Sequence, residues 1–152
     1  MSQALNGKIP LSCKMRFVEG SNVLIDTIDF CEGRVENGAD IICVHGRRRG
    51  SPKNRRAGPA DLLTIGKIAS HLKAKYPHIK IISNGNLYSH SDIPHALKES
   101  CPCDGIMAAE GLLRDPSMFA GTLSHSQISP IPIPIPDRYV WWDYMLFILL
   151  YM

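Results

Sequence analysis

Apolar positions along the chain gather into four strand-length runs, each followed by a helix-length stretch of mixed character. Ile9 to Phe17 alternates and turns polar at Lys14 and Arg16. Asn22 to Asn37 follows, with Val23, Ile25, Ile28, Phe30 and Val35 set among polar residues, and Gly38 is placed to end a helix in left-handed backbone. Asp40 to His45 holds the unbroken run Ile41-Ile42-Cys43-Val44, the pattern of a strand buried on both faces. Pro59 and Asp61 open a helix carrying Leu62, Leu63, Ile65, Ile68, Ala69 and Leu72, and Tyr76-Pro77 closes it. The third run, Ile79 to Ser83, leads into Asn84-Gly85-Asn86, after which Ser91-Asp92 starts a short helix through Leu97. The fourth, Gly105 to Ala108, leads to Glu110-Gly111 and a last helix start that Asp115-Pro116 interrupts.

Short apolar strands alternating with helices predict an α/β chain of parallel βαβ units. The predicted strands end near Arg16, His45, Asn84 and Glu110, each with a polar cluster beside it. Sites in parallel α/β folds gather at the carboxyl ends of the strands, in barrels and doubly wound sheets alike, so this step leaves both architectures open. From about residue 123 the character changes. Ile131 to Pro136 alternates isoleucine with proline and predicts extended, polyproline-like chain. Val140 to Met152 is hydrophobic around Asp143, too short to span a bilayer, which takes about 20 residues. An interfacial anchor, a misread terminus and a segment packed on a partner are the three readings of that tail. The organisation expected is one domain over 1–122 and a linker and tail over 123–152.

Length narrows the architecture, because 152 residues fall short of the roughly 200–250 of a complete (β/α)₈ barrel. Hydrophobic content of 45% and charged content of 20% exclude wholesale disorder. The net charge of +3 is concentrated: Arg47, Arg48, Arg49, Lys53, Arg55 and Arg56 fall in one stretch without an acid. Such a run is either a solvated loop or a contact for the phosphate backbone of a nucleic acid. Five cysteines in no framework spacing, behind a polar Met1–Lys8, suit reduced thiols and a cytoplasmic location, with the nucleus as an alternative. Cys101-Pro102-Cys103 has no second ligand pair at zinc-site spacing, so no metal is expected.

The chemistry lies at the strand ends. Lys14 and Arg16 share one strand face and suit an anionic or electron-rich ligand, or else form an ordinary exposed strand end. His45, fixed by a buried strand and followed by Gly46, can donate to a phosphate or a ring carbonyl, or serve a structural hydrogen bond. Asn84-Gly85-Asn86 is an anion nest or a common βα turn. Ala109-Glu110-Gly111 is a second glycine turn after the next strand. Two such turns side by side make a better phosphate cradle than one, and loops after successive late strands are where barrels hold phosphate, which favours a barrel.

Cys13-Lys14-Met15-Arg16, Val44-His45-Gly46-Arg47, Gly58-Pro59-Ala60-Asp61, Ser83-Asn84-Gly85-Asn86 and the segment from Asp104 to Leu113 occur in the order of the landmarks of the tRNA-dihydrouridine synthases. The chain resembles the C-terminal half of that family's barrel, closest to the eukaryotic branch, over residues 9 to 120. The resemblance implies a partial (β/α)₈ TIM barrel that binds FMN, uses NADPH as reductant, and reduces uridine in tRNA. It implies Lys14 and His45 beside the flavin ring. Asn84, Gly85, Asn86, Ala109 and Glu110 would stand at its phosphate, with Arg16, Arg47, Arg48 and Arg49 toward the tRNA.

The chain departs from the family's pattern: the first half-barrel with its flavin-ring contacts and the C-terminal helical domain that grips tRNA are not found in these residues, and Glu110 stands where many flavin barrels use an arginine. The family's acid cysteine sits in an Asn-x-Gly-Cys-Pro segment, and none occurs in these residues. No catalytic residue is therefore assigned, and Cys13 is the first candidate for an unrecognised acid. The expectation is a truncated, inactive chain of an enzyme lineage, self-associating through open half-barrel edges. The alternative is a non-catalytic relic with residual RNA or flavin-phosphate binding.

Overall fold

The computed structural model describes residues 9–48 and 58–120, so the tail over 123–152 and Arg49 lie outside the described residues. Four strands form one parallel sheet in the order of the chain: β1 (Ser12–Phe17), β2 (Ile41–Arg48), β3 (Lys80–Asn84) and β4 (Gly105–Met107). Between and after them run α1 (Val23–Glu36), α2 (Leu62–Lys75), α3 (Ile93–Glu99) and α4 (Glu110–Arg114), with a single 3₁₀ turn at His90–Asp92 before α3. The α/β expectation and the parallel pairing both hold.

Local chemistry sets the helix ends. The Asn22 side chain accepts from Ile25 N at 3.2 Å to start α1, and Gly38, at φ 90°, takes the left-handed turn that ends it. Asp61 caps α2 by accepting from Thr64 N at 2.9 Å. Inside α1 the buried stripe is Thr27, Cys31 and Val35, spaced four apart, while Ile25 and Phe30 face solvent and Arg34 lies 4.2 Å over the Phe30 ring. Thr27 tolerates burial because its hydroxyl accepts from Val18 N.

Alternation along the strands divides the sheet into two faces. Ile42, Val44, Ile81 and Ile106 point to the helices and join Cys31, Ile65, Ile68, Leu72 and Ala96 in the main core. Burial of those branched side chains, about 25 cal/mol per Å² of apolar surface, is what holds helices to sheet. The opposite face carries Lys14 and Arg16 on β1, Cys43 and His45 on β2, Ile82 and Asn84 on β3, and Met107 on β4, placed level by the register. Cys43, Ile82 and Met107 form a small apolar floor there. In a doubly wound sheet the strand order reverses and helices cover both faces. Here order is sequential and the described helices share one face, the arrangement of four of a barrel's eight βα units.

Two strand boundaries differ by three residues from those read in the sequence. β1 begins at Ser12 rather than Ile9, and β2 continues through Arg48 rather than stopping at His45. The cause of the second is a register shift: Arg16 pairs with His45, but Phe17 pairs with Arg48, so β2 bulges where the site begins.

Candidate functional site

Parallel register brings Arg16, His45, Asn84 and Met107 to one level near the carboxyl ends of the strands, with Lys14, Cys43 and Ile82 one step below. Lys14 Nζ donates to Asn84 Oδ1 at 2.7 Å, reaching across β2, and Asn84 Nδ2 donates to Met107 O at 2.7 Å. The Asn84 amide is thus fixed at both ends and holds the lysine over the apolar floor. Burial pulls the Lys14 pKa below its ordinary value, with Arg16 adding to the fall and Cys43 opposing it. A partly desolvated cation of this kind gains from an electron-rich group placed beside it.

His45 stands among three cations. Burial first, then Arg16, Lys14 and Arg47, push its pKa down to about 3, so the imidazole is neutral at physiological pH. Its Nδ1 is buried and lacks a hydrogen-bond partner among the described residues. A neutral ring has one N–H and one lone pair, and a buried unpaired ring nitrogen on the open face suits a ligand polar atom. The other such atom, Ser83 Oγ, belongs to the helix-facing side of β3.

Gly85 and Asn86 form the turn after β3, with φ of 133° and 56°. Asn86 does not turn its amide to a ligand. Its Oδ1 accepts from Ala60 N at 2.7 Å and its Nδ2 donates to Ala60 O at 2.8 Å, so both polar atoms of the side chain are bonded within the protein. Ala109 and Glu110 follow β4 and start α4. Glu110 is bridged by Arg114 at 2.9 Å, one turn along the helix, which offsets its charge.

The sequence-predicted cations divide. Arg16 Nη1 donates to Arg48 O at 3.4 Å, Arg47 Nε donates to Gly58 O at 3.1 Å, and Arg16 and Arg48 are exposed. Arg49 lies outside the described residues. Sequence reasoning missed Cys43, Ile82 and Met107 as the floor of the site, and Ala60 as the clasp of its rim. The floor was detectable by extending the period-two alternation downward from Lys14 and His45; the clasp had no signal, because it joins residues far apart in sequence. Among the described residues no helix is long and apolar enough to cross a membrane, and no group of three metal-ligating side chains occurs.

A family model described as dihydrouridine synthase (Dus) matches residues 1–146. The chain is similar to the tRNA-dihydrouridine(20a/20b) synthase (NAD(P)+) of Saccharomyces cerevisiae, 32% identical over 114 residues that make up 75% of this chain and 29% of that protein. It is 31% identical to the tRNA-dihydrouridine(16/17) synthase (NAD(P)(+)) of Schizosaccharomyces pombe, over 73% of this chain and 26% of that protein. A third relative, tRNA-dihydrouridine(16/17) synthase (NAD(P)(+))-like of Rattus norvegicus, is 28% identical over 87% of this chain and 26% of its own length. The chain spans less than a third of the length of each of these relatives.

Proposed function

Because the chain belongs to the dihydrouridine synthase family, we propose that it supplies four βα units of a tRNA-dihydrouridine synthase barrel, an oxidoreductase that uses FMN and NADPH to reduce uridine in tRNA. The observation that carries this reading is the juxtaposition of Lys14, neutral His45 and Asn84 on the face of the sheet that the described helices leave open, at the carboxyl ends of its strands. His45 Nδ1, without a partner among the described residues, and the partly desolvated Lys14 fit a flat, anionic, hydrogen-bonding cofactor. Lys14 sits beside the flavin ring and favours negative charge on it, while Asn84 fixes the lysine's position. His45 offers a ring nitrogen to a polar atom of the flavin without adding a fourth cation. The backbone N–H groups of Gly85, Asn86, Ala109 and Glu110 face its phosphate. Arg16, Arg47, Arg48 and Arg49 meet the RNA backbone. When bound, FMN reduced by NADPH supplies hydride to the uracil ring.

One observation favours a second reading, a non-catalytic relic that keeps flavin-phosphate or RNA binding: these 152 residues contain no Asn-x-Gly-Cys-Pro segment. Both readings require a flavin-side site, so it is tested first. Titration of the purified chain with FMN, followed by flavin fluorescence, is expected to show saturable binding. Lys14→Met should weaken it roughly tenfold, the scale of one charge-assisted contact. No binding, or binding indifferent to Lys14→Met, would overturn the assignment.

A further inference from the structure

The cofactor reading leaves the Asn86 side chain unused, yet both of its polar atoms are hydrogen-bonded. Asn86 stands in left-handed backbone directly after Gly85 and pairs with both backbone polar groups of one residue, Ala60 N and Ala60 O. An amide that satisfies an N–H and a C=O together imitates a neighbouring strand and fixes orientation as well as distance. Ala60 is buried and lies in the connection from β2 to α2. Either side of it the same connection is tied to the end of β2: Asp61 N donates to Gly46 O at 2.7 Å, and Arg47 Nε donates to Gly58 O at 3.1 Å.

The two glycines at the crossing points show how close the packing is. A Cβ at Gly46 would stand 2.9 Å from Asp61 N, and one at Gly85 would stand 2.4 Å from Ala60 Cβ. Gly58 to Asp61 is therefore held between the end of β2 on one side and the β3–α3 turn on the other. From the Asn86 amide the connection runs by hydrogen bonds to Ala60, along the backbone through Pro59 to the Gly58 carbonyl, and by a hydrogen bond to the Arg47 guanidinium. Nε of Arg47 is used in that bond, and Nη1 and Nη2 are the atoms through which it would meet a phosphate. A guanidinium held by its Nε presents its fork in one orientation, and positioning of this kind makes arginine a better phosphate ligand than a mobile charge.

We infer that Asn86 is a positioning residue for RNA: through Ala60 it holds the Gly58 carbonyl where it aims the Arg47 guanidinium at the phosphate backbone. The inference rests on the reading above that this end of the sheet meets tRNA. It separates two roles within one turn, Gly85 and the Asn86 backbone for the flavin phosphate and the Asn86 side chain for the substrate.

The test is binding of the full 152-residue chain to unmodified tRNA across a salt series, for wild type, Asn86→Gly, Arg47→Ala, Arg47→Lys and the Asn86→Gly/Arg47→Ala pair. Glycine keeps the positive φ and deletes only the amide. Asn86→Gly is expected to weaken binding roughly tenfold and to lower the salt slope by about 0.7–0.9, the loss of one phosphate contact. Arg47→Ala should do the same, and the double variant should be no weaker than Arg47→Ala alone, since one contact cannot be lost twice. Arg47→Lys, which keeps the charge and has no Nε–H for Gly58 to hold, should resemble Arg47→Ala. That variant keeps the test decisive should Asn86→Gly fail to fold. Losses that multiply in the double variant, an Asn86→Gly chain that binds as wild type, or an Arg47→Lys chain that does so, would each overturn the inference. A wild-type chain without tRNA affinity would overturn the proposed function as well, and so is distinguishable from those outcomes.

Discussion

His45 shows how a single side chain records the field around it. Its pKa of about 3 is set by burial and by three nearby cations, against about 6.5 for an unperturbed imidazole. Between those two values the unfolded chain carries a proton on this ring and the folded chain does not. The unfolded state therefore binds more protons, and the stabilisation is fully present above pH 6.5 and lost as the pH falls toward 3. From pH 7 to pH 5 this residue should account for at most about 2 kcal/mol of lost stability. Urea unfolding of wild type and His45→Asn at the two pH values checks it: the variant should lose less, and an equal loss would mean that the ring is not held neutral. At this scale Lys14 and Arg16 were legible from strand alternation, and His45 and Asn84 from their place at strand ends, though Asn84 lies within β3 rather than in the turn after it. The Asn86 side chain was not, since its partner Ala60 lies on another connection. Cys13, the first candidate for an unrecognised acid, packs toward the helices, while Cys43 shares the open face with Lys14.

Elements were legible wherever their ends are chemical. Asn22, Gly38, Asp61 and Tyr76 mark helix ends by capping or breaking, and each stands where the pattern put it. What local chemistry does not encode is pairing. β2 runs past His45 because a bulge against β1 re-registers Phe17 with Arg48, and α1 buries Thr27 and Cys31 because of the face it turns to β1, not because of their hydropathy. Asp61 gives this scale its prediction. It accepts from both Thr64 N at 2.9 Å and Thr64 Oγ1 at 2.7 Å, and it sits beside the clasp at Ala60. Asp61→Ala should cost about 1 kcal/mol of stability and Asp61→Asn much less, because asparagine keeps a capping oxygen. Thermal unfolding of the two variants measures the difference, and equal melting temperatures would remove the cap from the account.

For the whole molecule, the alternation of elements was enough for parallel βαβ units, the paired glycine turns and the family landmarks favoured a barrel over a doubly wound sheet, and the sequential strand order, a long-range property, bears that out. The same order governs what the chain can do alone. Uridine reduction needs a proton donor positioned at the base opposite the hydride source, and a general acid of this kind is typically worth about 10²–10⁴ in rate. Among the described cysteines none is so placed. Cys31 is buried in the helix layer with its pKa raised to about 12, and Cys101 and Cys103 precede β4, at the far end of the sheet from His45. Cys43 alone shares the face of Lys14, but burial raises its pKa to about 11 and its Sγ packs on Met107 Sδ at 3.7 Å, one step below the strand ends. Holding a reacting centre even about 1 Å out of place can cost on the order of 100-fold. The 152-residue chain should therefore form no measurable dihydrouridine in unmodified tRNA with excess FMN and NADPH. Quantifying dihydrouridine in digested tRNA after incubation checks this. Product would show that an acid within these residues reaches the base, and Cys43→Ser, ahead of Cys13→Ser, is the variant that should then abolish it. Product only on adding a separately made polypeptide bearing the Asn-x-Gly-Cys-Pro strand would place the acid on that polypeptide and leave Lys14, His45 and Asn84 as this chain's share of the site.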